Sequence, residues 1–480
     1  MTHQSLQPAL PPFVPSKREE CGIFGIYGTP DASKLAYFGL YALQHRGQES
    51  AGIAVSDGSQ VREYKHMGLV HDVFNEQKLK ALKGHLAIGH VRYSTTGSSL
   101  LANAQPFVVF HGNEYYGIGH NGNLVNAVQL REELEREGAI FQSTMDTEVI
   151  MHLLSRNLKN GLDEALTKTL SRLEGAYSLV MCTRDKLIGI RDPRGFRPLC
   201  LGEMDGGGYV LASETCALDL IEARYIRDLE PGEVLVIDQN GLRSFHPLPK
   251  EPSSHCIFEF IYFARPDSNI FGQNVYLFRK RLGHLLAREN RQLTADLVMP
   301  FPDSGNYAAL GFAEASRIPL EMGVIRNHYV GRTFIQPSQA MRDFGVRVKL
   351  NPVKELLKHK RVILVEDSII RGTTTRTRIN TLRQAGAKEV HMLVSCPPHR
   401  FPCPYGIDFS TKGELIAATH SVEEIRKYIG LDSLSYLSID GLLEGAGVAG
   451  VDHPYCMACF DGKYSVPFEN AVRKDCFEKC

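Results

Sequence analysis

The sequence predicts a two-part α/β protein, with a largely antiparallel sandwich followed by a half built on a parallel sheet. Three observations carry this reading. From residue 21 to about 245, short β-rich runs arrive in hairpin-like pairs, with few helical patterns between them. Around residues 245–255 a proline- and serine-rich stretch reads as a linker. Beyond it, RVILVED and EVHMLVSCPP flank the helix-forming TTTRTRINTLRQAGAK, and such a βαβ unit requires parallel strands. At 480 residues the chain is too long for one ordinary core, so the divisions fall at 1–20, 21–250 and 251–480.

In the first half the strand candidates are CGIFGIYG, AGIAVSDG, LAIGHVRYST, FVVFHGNEYYGIGHNG, YSLVMCTRDKLIGIRDP, GYVLASE and GEVLVIDQNG. Helical spacing predicts helices at 33–45, 126–138, 146–158 and 163–173. In the second half, helices at 274–293 and 306–316 alternate with apolar runs such as DLVMPFP.

Lysine plus arginine equals aspartate plus glutamate at 54 each, which removes any global electrostatic case for nucleic acid or an anionic membrane. No apolar run approaches the ~20 residues of a membrane span. The first 20 residues, MTHQSLQPALPPFVPSKREE, lack the apolar core of a secretory signal and read as a proline-rich leader, so a cytoplasmic protein is expected. Eleven cysteines without such a signal argue against a disulfide scaffold and for metal or cluster ligation.

RVILVEDSIIRGTTT, residues 361–375, carries the most specific chemistry. An apolar strand ends in Glu366 and Asp367, and a small hydroxyl-rich loop (Ser368, Arg371, Gly372, Thr373, Thr374, Thr375) then opens a helix. At the carboxyl end of a parallel strand, this aims backbone N–H groups and a helix N-terminus at an anion. Adjacent carboxylates add capacity for ribose hydroxyls and a divalent metal. The string closely resembles the phosphoribosylpyrophosphate loop of type I phosphoribosyltransferases, although many members have aspartate where this chain has Glu366. Upstream, FPDSGNYAALGFAEAS puts Asp303 and Ser304 at a strand end, where Ser304 can join a magnesium shell. RNHYVGRTFIQPSQAMR, with Gly331 and Pro337, looks like a loop closing over a diphosphate, and Arg332 and Arg342 suit its clamping.

These strings together with ECGIFGI resemble the glutamine phosphoribosylpyrophosphate amidotransferase family, from Cys21 through at least Lys463. The resemblance implies an N-terminal-nucleophile hydrolase αββα sandwich holding a class II glutaminase, then a type I phosphoribosyltransferase domain. It implies the first committed step of purine synthesis, in which glutamine is hydrolysed at Cys21 and ammonia passes to phosphoribosylpyrophosphate. In GHVRYSTTG, Arg92 matches the arginine that binds the substrate α-carboxylate. In GHNGNL, Asn121 and Gly122 match the oxyanion-hole donors, and in MDTE, Asp146 matches the carboxylate for the α-ammonium. Singly each has a bland reading: HNGN is a turn, and Asp146 suits a helix N-cap.

Cys256, Cys403, Cys456 and Cys459 make a ligand set for either a four-iron four-sulfur cluster or a tetrahedral zinc, and spacing alone does not separate the two. The resemblance does, because one subgroup combines an iron–sulfur cluster at these positions with a cleaved leader ending in acids before cysteine. Cys396 matches no family ligand. Cys182, Cys200 and Cys216 lie in apolar contexts, and Cys476 and Cys480 form an unassigned terminal pair. The leader then makes sense as a propeptide: while Glu20 is attached, the Cys21 nitrogen is an amide, and only cleavage gives the basic α-amino group (pKa ~7.7–8.0) that activates the thiol. Purine monophosphates as feedback inhibitors and a homo-oligomer, tetramer or dimer, are family expectations. Two other classes fare worse. Amidotransferases making glucosamine phosphate or asparagine lack the phosphoribosyl loop, and a purine-repressor-like regulator leaves Cys21, Arg92, Asn121 and Asp146 unexplained.

Overall fold

The computed structural model describes residues 21–93, 98–327, 350–407, 411–448, 450 and 452–468. Two antiparallel sheets form the first half. One runs in the order 224–228, 200–203, 209–212, 22–27, 86–92, 50–56, 61–67, and the other in the order 241–245, 234–238, 187–191, 175–182, 114–124, 107–111. Strand alternation fixes the layers. Phe24 and Ile26 face a core shared with helix Ala32–Ala42, whereas Ile23 faces Val180, Leu187 and Leu235 between the sheets. Helices Ala127–Arg136, Asp146–Asn157 and Leu162–Leu170 pack on the outer face of the second sheet with Leu179, Ile188 and Val236. The layers are therefore αββα, as expected.

The second half holds a parallel sheet in the order 297–300, 361–366, 389–394, 433–436. Its first three strands are buried on both faces, which is why they read as unbroken apolar runs. Helices Val275–Glu289, Asn306–Ser316 and Thr373–Gln384 contribute Phe278, Phe312 and Ile379 to the same core. A short parallel pair sets Cys256 opposite Cys456 and so ties the start of this half to its end.

The sequence reading misses mainly polar or edge elements. Val61–Met67 is a strand although VREYKHM shows no apolar alternation, because it lies on the sheet edge with one side in water. Edge strand Ser433–Tyr436 and the capped helix Val422–Ile429 were likewise too short or too polar to stand out. No helix among the described residues is long and apolar enough to cross a membrane.

Candidate active sites and a cysteine-lined cavity

Cys21 precedes strand Gly22–Tyr27, and the pairing of Gly22 with Val91 brings it level with Arg92 on the neighbouring strand. Its thiol donates to the Tyr93 carbonyl at 3.4 Å, and its own carbonyl accepts from Arg46 Nε at 3.0 Å. Arg92 is buried, with Nη1 3.4 Å from Glu49 Oε2 and 3.1 Å from the Ser98 carbonyl. The Asn103 amide also donates to Ser98 O, at 2.8 Å, and to Thr144 Oγ1, which braces this rim.

Asn121 and Gly122 lie inside strand Glu114–Leu124 rather than in a turn, paired with Ser178 and Tyr177. Gly122 has φ +148°, and a Cβ there would come within 2.0 Å of Ala176 O, so only glycine fits. Asn121 is 1% exposed and its Nδ2 has no hydrogen-bond partner among the described residues. A buried amide donor left open is costly in a folded protein, which marks it as a group kept for a ligand.

Asp146 is the first residue of helix Asp146–Asn157, with Met145 in the cap position. Its carboxylate instead accepts from Leu124 N at 3.1 Å and Thr147 Oγ1 at 3.4 Å, and it stands 3.4 Å from His120 Nδ1. Burial pushes its pKa up, but His120 and these donors outweigh burial and hold it below the ordinary value. The strand carrying Asn121 and Gly122 is thus fastened at its end to Asp146. His90, also buried, donates from Nε2 to His120 O at 3.0 Å, and burial depresses its pKa to about 3, so it stays neutral.

In the second half Glu366 closes the strand Arg361–Glu366, and both it and Asp367 are buried. Burial drives the Glu366 pKa well above its ordinary value. Arg378, 3.5 Å away, opposes this, and Asp367 adds to it. The Arg378 guanidinium lies 3.9 Å from the Phe301 ring, which holds it beside the loop. Ser368 Oγ donates to Asp367 Oδ2 at 2.6 Å. Gly372 takes φ +72° and caps helix Thr373–Gln384, with Thr375 buried, Thr373 half-buried and Thr374 exposed. Arg371 pairs with Glu414, and Asp303 with Arg326. Half-buried Ser304 lies on the turn packed against this strand end, where Phe301 N donates to Val365 O.

Cys256, Cys403, Cys456 and Cys459 line one cavity together with Phe196, Arg197, Tyr405, Ile407 and Ala458. Burial pushes the Cys456 thiol up to about 12, with Arg197 acting against it. Cys459 is raised by burial and then by Cys256, Cys403 and Cys456. No group of three or more His, Cys, Asp or Glu among the described residues is gathered to hold a single metal ion. Cys182, Cys200 and Cys216, read as core residues from their apolar contexts, are buried, as is Cys396, and none of the four lines this cavity.

The chain was compared with known proteins. Residues 90–220 match the glutamine amidotransferase domain model. Amidophosphoribosyltransferase of Bacillus subtilis (strain 168) is 51% identical over 449 residues, covering 93% of this chain and 94% of the relative. Amidophosphoribosyltransferase 1, chloroplastic, of Arabidopsis thaliana is 51% identical over 459 residues, covering 95% and 81%. The solved structure of glutamine phosphoribosylpyrophosphate amidotransferase from B. subtilis complexed with ADP and GMP has a TM-score of 0.89 at 49% identity, covering 95% of this chain and 99% of that one. The chain belongs to the amidophosphoribosyltransferase family. It is therefore an enzyme of the first step of purine synthesis, with the N-terminal-nucleophile and phosphoribosyltransferase folds in one chain.

Arg332 and Arg342, with Gly331 and Pro337, lie outside the described residues of this amidophosphoribosyltransferase, as do the leader, Cys476 and Cys480. What the sequence reading missed is the junction between its halves. Arg46 bonds Glu214 at 2.6 Å and Glu259 at 2.7 and 2.9 Å, all three fully buried. Arg197 Nη1 stands 3.5 Å from the same Glu259, and its Nη2 donates to Tyr405 O at 2.7 Å. The one available signal was charge embedded in otherwise apolar strings, as in CIFEFIYF.

Proposed function

We propose that this amidophosphoribosyltransferase releases ammonia from glutamine at Cys21 and uses it to displace pyrophosphate from phosphoribosylpyrophosphate, giving 5-phosphoribosylamine and glutamate. Arg92 would take the substrate α-carboxylate and Asp146 its α-ammonium, which holds the side-chain amide against sulfur. Thiolate attack forms a tetrahedral oxyanion, then a γ-glutamyl thioester as ammonia leaves with the proton drawn from the thiol. Water then hydrolyses the thioester. The observation that supports this reading is the buried Asn121 amide beside Gly122, whose Nδ2 has no partner among the described residues and would donate to the oxyanion. The base would be the α-amino group of Cys21, freed by cleavage of the propeptide after Glu20.

At the second site Ser368, Arg371, Gly372 and Thr373–Thr375 would enclose the 5′-phosphate, with Arg332 and Arg342 as clamps on the diphosphate. Glu366 and Asp367 would engage the ribose, and with Ser304 they would hold magnesium, an all-oxygen donor set suited to that ion. When bound, magnesium neutralises charge on the departing pyrophosphate. Four soft thiols line one cavity, and the resemblance to the subgroup with a cleaved leader favours one 4Fe-4S cluster over zinc there. That cluster would supply structure, tying segments 256, 403 and 456–459 together. Purine monophosphates as inhibitors, supported by the GMP and ADP in the B. subtilis complex, a homo-oligomer and a cytoplasmic location complete the reading.

Purified protein is tested for glutamine- and phosphoribosylpyrophosphate-dependent pyrophosphate release, with and without Cys21→Ala. The variant should use only added ammonia; continued use of glutamine would overturn the assignment of Cys21. Protein still carrying its leader should show no glutaminase activity.

A further inference from the structure

Arg378 sits where three segments of the second half meet. It lies on helix Thr373–Gln384, and its guanidinium rests 3.9 Å from the centre of the Phe301 ring. Phe301 is buried and both its backbone groups are tied: its N–H donates to Val365 O at 2.8 Å, and its carbonyl accepts from Gly305 N at 3.1 Å. Val365 immediately precedes Glu366 in strand Arg361–Glu366. The aromatic platform under the guanidinium and the carboxylate beside it are therefore anchored to the same strand end.

The two adjacent carboxylates at that strand end are held differently. Asp367 has a donor from its own neighbour, Ser368 Oγ, at 2.6 Å. Glu366 is a methylene longer and has a further rotatable bond. Among the described residues the one cation on its carboxylate is Arg378, with Nη1 3.5 Å from Oε2. A longer side chain loses more rotamer freedom when it takes up a ligand, and a partner that fixes it beforehand lowers that loss. Arg378 does not close a hydrogen-bond network of its own, because its Nε is buried and has no partner among the described residues. Stacking on Phe301 and the contact with Glu366 are what hold the guanidinium in place.

Resting on the reading of Glu366 and Asp367 as the carboxylates for ribose and magnesium, we infer that Arg378 is a positioning residue for Glu366. Stacked on Phe301, it fixes the glutamate side chain at the strand end beside Asp367, so that substrate meets the pair already in place. It acts through Glu366 and makes no contact with substrate. An aspartate at 366, a methylene shorter, is drawn back toward the strand and away from a contact that already stands at 3.5 Å. Dependence on Arg378 should therefore disappear when Glu366 is shortened.

The test is a double-mutant cycle on the full-length enzyme, with Arg378→Met made in the wild-type background and in Glu366→Asp. Methionine keeps an apolar stem on Phe301 and removes the guanidinium, while Arg378→Lys, run in the same two backgrounds, keeps a charge and loses the planar stack. Calorimetry reads the Kd for magnesium phosphoribosylpyrophosphate, kinetics with added ammonia read KM and kcat separately, and melting of the ligand-free proteins shows that each is folded. In the wild-type background Arg378→Met should weaken binding by about three- to tenfold, with a larger effect on KM than on kcat, and Arg378→Lys should lose less. In Glu366→Asp neither substitution should change the Kd. An equal loss in both backgrounds would overturn the inference and make Arg378 a direct substrate contact, and no loss in either would overturn it too. Glu366→Ala binding as tightly as wild type would instead overturn the placing of Glu366 itself; a weakened Glu366→Ala leaves that reading standing whatever becomes of Arg378.

Discussion

Replacing Asn121 by alanine separates a catalytic donor from a structural one, because the two roles predict opposite effects on stability. The Nδ2 group is buried and makes no hydrogen bond to any of the described residues. An unsatisfied buried donor costs ~1–3 kcal/mol, so its removal refunds part of the packing lost with the amide. The net change should stay within about 1 kcal/mol, roughly 2–4 °C in Tm for a half of this size. Catalysis responds differently. Losing one preorganised oxyanion donor raises the barrier by ~2.7–4 kcal/mol, which lowers kcat by ~10²–10³. Since the donor acts on charge that exists only in the transition state, kcat and kcat/KM should fall together and KM for glutamine should hold. The assays are glutamate release with saturating phosphoribosylpyrophosphate, ammonia-dependent pyrophosphate release as the control, and calorimetric melting. A large fall in Tm with glutaminase reduced less than tenfold would refute the assignment and make Asn121 a structural amide.

Gly122→Ala should cost more than a single donor, since its Cβ would sit 2.0 Å from Ala176 O; glutaminase should be lost, and a lowered Tm checks the steric origin. Asp146→Asn removes the charge proposed for the substrate ammonium, so KM for glutamine should rise by the equivalent of ~2–5 kcal/mol in steady-state kinetics. Glu366 supplies a pH test. Its folded pKa lies above the unfolded value near 4.5, so its contribution to stability is full below that value and is lost as pH rises through the folded pKa. Glu366→Gln should flatten that part of the stability–pH curve in ligand-free protein. Ionised Glu366 is the form suited to magnesium, so binding of magnesium phosphoribosylpyrophosphate should release a proton, measurable by calorimetry in buffers of different ionisation enthalpy.

Much of the site was legible because its chemistry is local in sequence. The phosphate loop needs a strand, two acids, a glycine and hydroxyls in succession, and 361–375 supplies them in order. The first three strands of the parallel sheet were readable because burial on both faces demands unbroken apolar runs. The candidate glutaminase residues were named through resemblance, since Arg92, Asn121 and Asp146 come from separate elements: a strand of the first sheet, a strand of the second and the start of a helix. What escaped the sequence depends on contacts distant along the chain. Nothing in QHRGQ announces that Arg46 reaches Glu259, 213 residues away, or that HNGN is a strand whose Asn123 amide donates to Pro404 O. The bland reading of Asp146 as a cap fails for a similar reason: its carboxylate has a distant backbone donor, Leu124 N, in place of its own helix terminus.

The junction joins the two halves through buried charges. Arg46, Glu214, Glu259 and Arg197 are excluded from water, and buried ion pairs of this kind add little net stability because desolvation offsets attraction. Their value is geometric. Breaking one pair leaves an uncompensated buried charge, a loss of ~3–5 kcal/mol, so only one docking of the halves is permitted. That docking is transmitted to both sites by named bonds. Arg46 Nε holds the Cys21 carbonyl at 3.0 Å, so the Cys21 backbone is fixed by a guanidinium that also bonds Glu214 and Glu259, the latter three residues past Cys256. On the other side Arg279 donates to Phe260 O at 2.7 Å, and burial lowers its pKa while Asp367 acts against burial. The segment 256–260 therefore carries one cavity cysteine, the carboxylate bonded to the arginine that holds Cys21 O, and the carbonyl that accepts from Arg279.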